Sequence, residues 1–176
     1  IILHDTEVWL NASISNGDGH TNITVEQTDV GLGVGLGNPG SLAISNGAGI
    51  DQFRMVESTI KDDLLLSNGA GPSGSRIEIL SNSRIGNDFR LAADDGLDRV
   101  TVEDSSIVDD VRLSLGGGSS EVTFRNAHLQ EHLRIAAGAG ADQVRLEGTT
   151  VEGDTNINLG DGVDLLEILA ASALYG

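Results

Sequence analysis

A chain of 176 residues with a formal charge of −17 and no cysteine is long enough for a real core, but cannot staple it with disulfides or thiolate-bound metal. The charge argues against nucleic acid and anionic membranes as partners, since both are polyanions. No run approaches the ~20 apolar residues of a membrane span, whereas 24 glycines, 2 prolines and 3% aromatic residues suit many short strands joined by tight turns.

Taken in chain order, the first segment opens at Ile1, places Leu3, Val8, Ala12 and Ile14 at apolar positions, and closes on Gly17-Asp18-Gly19. The same succession restarts at Ile23, Phe53, Ile77, Val100, Val122, Val144 and Leu166, the last four spaced by 22 residues. A single domain therefore divides into coils 1–22, 23–52, 53–76, 77–99, 100–121, 122–143 and 144–165, with a half coil at 166–176. In the fifth coil Val100 and Val102 alternate, Ile107 follows a bend, and Val111, Leu113 and Leu115 alternate again. Period-two alternation predicts strands with one buried face, two or three per coil. Each coil travels the same way, so equivalent strands stack in parallel at ~4.8 Å. The expected fold is all-β, a right-handed parallel β-helix, the hand following the rule for parallel crossovers.

The departures from the period are local. The second coil is eight residues longer because of a glycine-alternating loop insertion at 31–40. Pro72 to Arg76 lengthens the third coil by two residues, and the region of Ile85 lengthens the fourth by one. The sixth coil position carries Thr6, Thr28, Ser58, Ser105, Ala127 and Thr149, small residues suited to a tight bend, whose hydroxyls can bond nearby backbone. On the later strands Asp63, Asp110, His132 and Asp154 fall in one outward column beside Arg90, Arg112 and Arg134. An exposed salt-bridge ladder is expected there.

The turns carry the chemistry. Gly138-Ala139-Gly140-Ala141-Asp142 returns as Gly160-Asp161-Gly162-Val163-Asp164, and these units resemble the glycine-aspartate nonapeptides of the RTX family. That resemblance implies calcium held between stacked turns, here at Asp142 and Asp164, where glycine allows close backbone approach and oxygens converge on a hard cation. RTX coils have two such turns each and this chain has one, with Thr21, Ser73 and Ser120 in place of aspartate in alternate coils. The other reading is that glycine and aspartate are what tight turns select. The 22-residue form also resembles repeats of large secreted or surface bacterial proteins of the planctomycete type. This implies an extracellular or cell-surface location and a structural or adhesive role.

Right-handed β-helices include polysaccharide lyases and hydrolases, which these coils resemble in length. Asp62, Asp63, Asp88, Asp109 and Asp110 offer the paired carboxylates such chemistry requires, yet only one loop is long and arginines neighbour the acids. His4, His20, His128 and His132 read as surface residues, and Phe53, Phe89 and Phe124 as core. Two apolar ends remain, Ile1, Ile2, Leu3 and Trp9 at one and Leu166, Ile168, Leu169, Leu174 and Tyr175 at the other. The latter segment either folds as a small helical cap or docks on the first coil of another copy, a heterologous contact that propagates into a filament. The sequence thus reads as a noncatalytic extracellular structural module whose partners are copies of itself, head to tail, with no cofactor required. A calcium-binding adhesion module and a polysaccharide-acting enzyme are the alternatives.

Overall fold

Each apolar column becomes a row of strands whose neighbours are the same column one coil away. The computed structural model describes residues 1–31, 40–69, 74–169 and 171–176. They form a parallel β-solenoid of about seven coils, with no helix among the described residues. The first sheet has eight strands, from Ile2–His4 to Leu165–Ile168. The second has eight two-residue strands, from Glu7–Val8 to Ala173–Leu174. Seven four-residue strands, from Ala12–Ser15 to Thr155–Asn158, make the third. The predicted column is continuous in register: Ile23 pairs with Phe53, Phe53 with Ile77, Ile77 with Val100, and on through Val122 and Val144 to Leu166.

The core lies inside the three sheets. Val100, Val102, Ile107 and Val111 of the fifth coil are fully buried, as are Phe89 and Phe124. At ~25 cal/mol per Å² of apolar surface, this stacking stands in for the disulfides the chain lacks. Leu3, Val8, Ala12 and Ile14 of the first coil pack on the core from one side only.

Each corner has its own hydrogen-bonding device. Between the first and second sheets, one residue per coil turns left-handed, with φ of 47° at Asp5, Gln27 and Glu57, 48° at Asp104 and 49° at Asn126. The hydroxyl residue that follows stitches coils together: Ser58 Oγ accepts the Thr28 N–H at 3.0 Å and donates to the Val56 carbonyl at 2.7 Å. In the fourth coil this position is Ser83, which accepts from Ser58 and donates to Leu80. The extra residue expected near Ile85 therefore falls just before it, at Ser81-Asn82, both left-handed, and Ile85 itself keeps register with Ile60 and Ile107. Of the insertion at 31–40, residues 32–39 lie outside the described residues. Its two ends are pinched together, since a Cβ built on Gly40 would lie 2.7 Å from the Gly31 Cα. The coil on either side keeps its register, Val30 pairing with Ile60 and Leu42 with Ala12.

The segment after Leu165 is not the helical cap. Leu165–Ile168 and Ala173–Leu174 are strands that extend the first and second sheets by one more rung, because their apolar residues continue the period-two columns beneath them.

Candidate functional site

Three places bring together the residues singled out from the sequence: the glycine-aspartate corner, the aspartate corner before the third sheet, and the two open ends. In the glycine-aspartate corner the register aligns Thr21, Asp51, Ser75, Asp98, Ser120 and Asp142 in one column that ends at Asp164. The third member is Ser75 and not Ser73, which lies outside the described residues, because the two extra residues of that coil precede the strand. Three of the aspartates reach back one coil. Asp98 Oδ1 accepts the Ser75 N–H at 2.8 Å, Asp142 Oδ1 the Ser120 N–H at 2.7 Å, and Asp164 Oδ1 the Asp142 N–H at 3.1 Å. Asp51, Asp98 and Asp142 are each only 1% exposed. Burial raises the carboxyl of Asp51 above its ordinary range and pushes that of Asp98 up to about 6, against the opposing pull of the Ser75 N–H.

Asp142 and Asp164 are therefore stacked as expected, but both spend an oxygen on a backbone amide. The buried oxygens left without a partner in this column are both carboxylate oxygens of Asp51, Asp98 Oδ2, Ser120 Oγ and Asp142 Oδ2. Spread over four coils, they do not make the six to eight converging oxygens calcium takes, and amide hydrogens point at the carboxylates of Asp98, Asp142 and Asp164. The arrangement fits turn stabilisation better than cation capture.

The acids considered for catalysis meet at the corner between the second and third sheets, where ligand atoms of Asp88, Asp109 and Asp110 lie within 4.8 Å of one another. Asp88 and Asp110 belong to a ladder in which each coil's side chain accepts the next coil's amide. Asn11 takes Ser41 at 2.8 Å, Ser41 takes Asp63 at 3.3 Å, and Asp63 takes Asp88 at 3.2 Å. Asp88 then takes Asp110 at 3.1 Å, Asp110 takes His132 at 3.2 Å, and His132 Nδ1 takes Asp154 at 2.8 Å. The second oxygens of Asp88 and Asp110 go to Arg90 and Arg112. The expected ion pairs form at Arg90 and Arg112, but their aspartates are not exposed: Asp88 and Asp110 are 6% and 8% exposed, and each also satisfies an amide at the bend. Asp62 accepts the Gly40 N–H at the base of the insertion. His4, His20 and His128 are exposed as expected.

A third ladder, which the sequence reading missed, runs through the first three coils, where Asn16 donates to Asn46 and Asn46 to Asn68, each at 2.8 Å. The signal was Asn at equivalent positions after the last strand of three successive coils.

The outer faces of the sheets differ. The first sheet is covered by ion pairs running across coils, among them Arg99 with Glu121 at 2.6 Å and Arg145 with Glu167 at 3.1 Å. Over the third sheet lies an open groove of about 660 Å³. Its floor includes Ser45, Ser67, Ala92, Ser114 and Ala136, and its side is the stacked column Arg90, Arg112 and Arg134, continued by Asn156.

At the ends, the apolar columns emerge. Ile1 is 54% exposed and Leu166 44%, whereas their column-mates Val100 and Val122 are fully buried. Ile2 and Trp9 are exposed beside Ile1, with Leu3 half-buried, and Ile168, Leu174 and Tyr175 are exposed beside Leu166, with Leu169 half-buried. What fold and geometry define together is a parallel β-solenoid held by corner ladders. Compared with known proteins, the chain matches no family model, no curated protein and no solved structure.

Proposed function

We propose that this chain is a noncatalytic structural module that stacks end to end with copies of itself, in a surface or extracellular setting. The observation that carries the proposal is the exposure of one and the same column at both ends, Ile1 on one face and Leu166 on the other. Inside the molecule each member of that column is covered by the member one coil on. Docking the Leu166 face on the Ile1 face of a second copy continues the column and covers Trp9, Ile168 and Tyr175. It also pairs the free edges of the strands Ile2–His4 and Leu165–Ile168, each of which has a neighbour on one side only. Such a contact is heterologous and does not close, so it builds a filament.

Charge opposes the contact, since each copy carries −17. Salt shortens the screening length from ~10 Å at 0.1 M to ~3 Å at 1 M, so apolar stacking strengthens as ionic strength rises. The test is light scattering of the 176-residue chain against concentration at low and high salt, with Leu166→Lys as the blocking variant. Growth of the scattering mass with concentration and salt, lost in the variant, supports the proposal. A monomer at every concentration and salt overturns it.

A further inference from the structure

The groove over the third sheet lies on a flank of the molecule and not on an end face, running the length of the sheet from Ser13 to Asn156 and Asn158. In a chain with 27 acidic and 10 basic residues, arginines find carboxylates readily. Arg90 and Arg112 do so, at Asp88 and Asp110. Arg134, next in the same stack, has no ion pair among the described residues. Its neighbour in the column is Asn156 and its neighbour along the strand, two residues on, is Ala136. A guanidinium is thus held at the groove wall by sheet register, beside a floor of small side chains and backbone, with its donors unspent.

We propose that this groove binds a linear acidic glycan, and that Arg134 receives a carboxylate or sulfate group of it. The guanidinium fork matches both oxyanions in a bidentate geometry. Ser114, Asn156 and Asn158 line the same groove and supply the mixed donors and acceptors that sugar hydroxyls require. The flat floor of Ser67, Ala92, Ser114 and Ala136 lets a ring approach the sheet, and the rungs repeat every ~4.8 Å, comparable to the advance of one sugar in an extended chain. The overall negative charge selects against denser polyanions. Duplex nucleic acid carries one charge per ~1.7 Å, whereas a glycan with one acid per one or two sugars can set a single acid at Arg134 while the more distant protein acids are screened beyond ~8 Å at physiological salt.

The experiment is titration of the whole chain, followed by calorimetry, with an oligogalacturonate, a sulfated dextran oligosaccharide of equal length, and neutral dextran. An acidic glycan binds and neutral dextran does not; preference for the first or second probe assigns the group as carboxylate or sulfate. Arg134→Ala weakens that binding about five- to tenfold. Arg84→Ala makes the same charge change on the second sheet, where Arg84 also lacks an ion pair among the described residues, and leaves binding unchanged. Circular dichroism of both variants checks the fold. The proposal is overturned if neither acidic glycan binds at low salt, if the two variants weaken binding equally, or if a single-stranded oligonucleotide competes as well as the glycan.

Discussion

Replacing Asp98 by asparagine should stabilise the solenoid at neutral pH and leave it unchanged in acid. The carboxyl is 1% exposed, its Oδ1 accepts the Ser75 N–H at 2.8 Å, and its Oδ2 is buried without a partner. Burial raises its pKa from 3.8 to about 6, so the folded chain holds the proton more tightly than the unfolded chain does. Below pH 3.8 the group is neutral in both states and costs nothing extra. Between 3.8 and about 6 the folded state loses stability as pH rises, and above that window the loss is complete. The gap corresponds to roughly 3 kcal/mol, which moves the thermal midpoint of a chain this size by on the order of 5–10 °C. Asparagine keeps the acceptor for Ser75 and removes the buried charge. Thermal unfolding of the parent and Asp98→Asn at pH 8 should differ by that amount in favour of the variant, and the two curves should converge near pH 4. A variant less stable than the parent at pH 8, or an equal difference at both pH values, would refute the reasoning.

Three further outcomes follow from the corners. Asn46→Ala removes the middle of the asparagine ladder and leaves the buried Asn68 short of its donor; urea unfolding should register a loss of about 1–3 kcal/mol. At Gly162, with φ of 151°, a Cβ would run into the Gly140 carbonyl oxygen of the coil beneath. Gly162→Ala should therefore loosen the last rung, read as faster amide exchange in Leu165–Ile168 with little change in the middle coils. Because the stacked Asp142 and Asp164 bond amides, a chelator should leave the melting temperature unchanged. A rise on adding calcium would instead assign that pair to a cation.

The fold was legible because its determinant is one-dimensional: apolar residues alternate within a strand and recur at a fixed spacing, so Val100, Val122 and Val144 are neighbours by arithmetic. The arithmetic failed only where it was interrupted. The extra residue at Ser81-Asn82 shifted Asp88 out of the column of Asp63 and Asp110, and the long third coil displaced Ser75 by two places. What a column does was harder to see than where it lies. Asp63, Asp88 and Asp110 look like an acidic cluster in sequence, whereas space shows each one accepting the next coil's amide. That task depends on which way a carboxylate leans, and spacing does not encode it. Likewise the sequence aligned Arg90, Arg112 and Arg134, but only the packed corner reveals that two are spent on aspartates while the third carries no ion pair among the described residues.

The central functional claim rests on the two exposed ends, and sedimentation velocity tests it most directly. The 176-residue chain should sediment as a series of growing species at high salt and high concentration, and Leu166→Lys should reduce it to a single monomeric boundary. A parent chain that remains monomeric under those conditions would contradict end-to-end stacking.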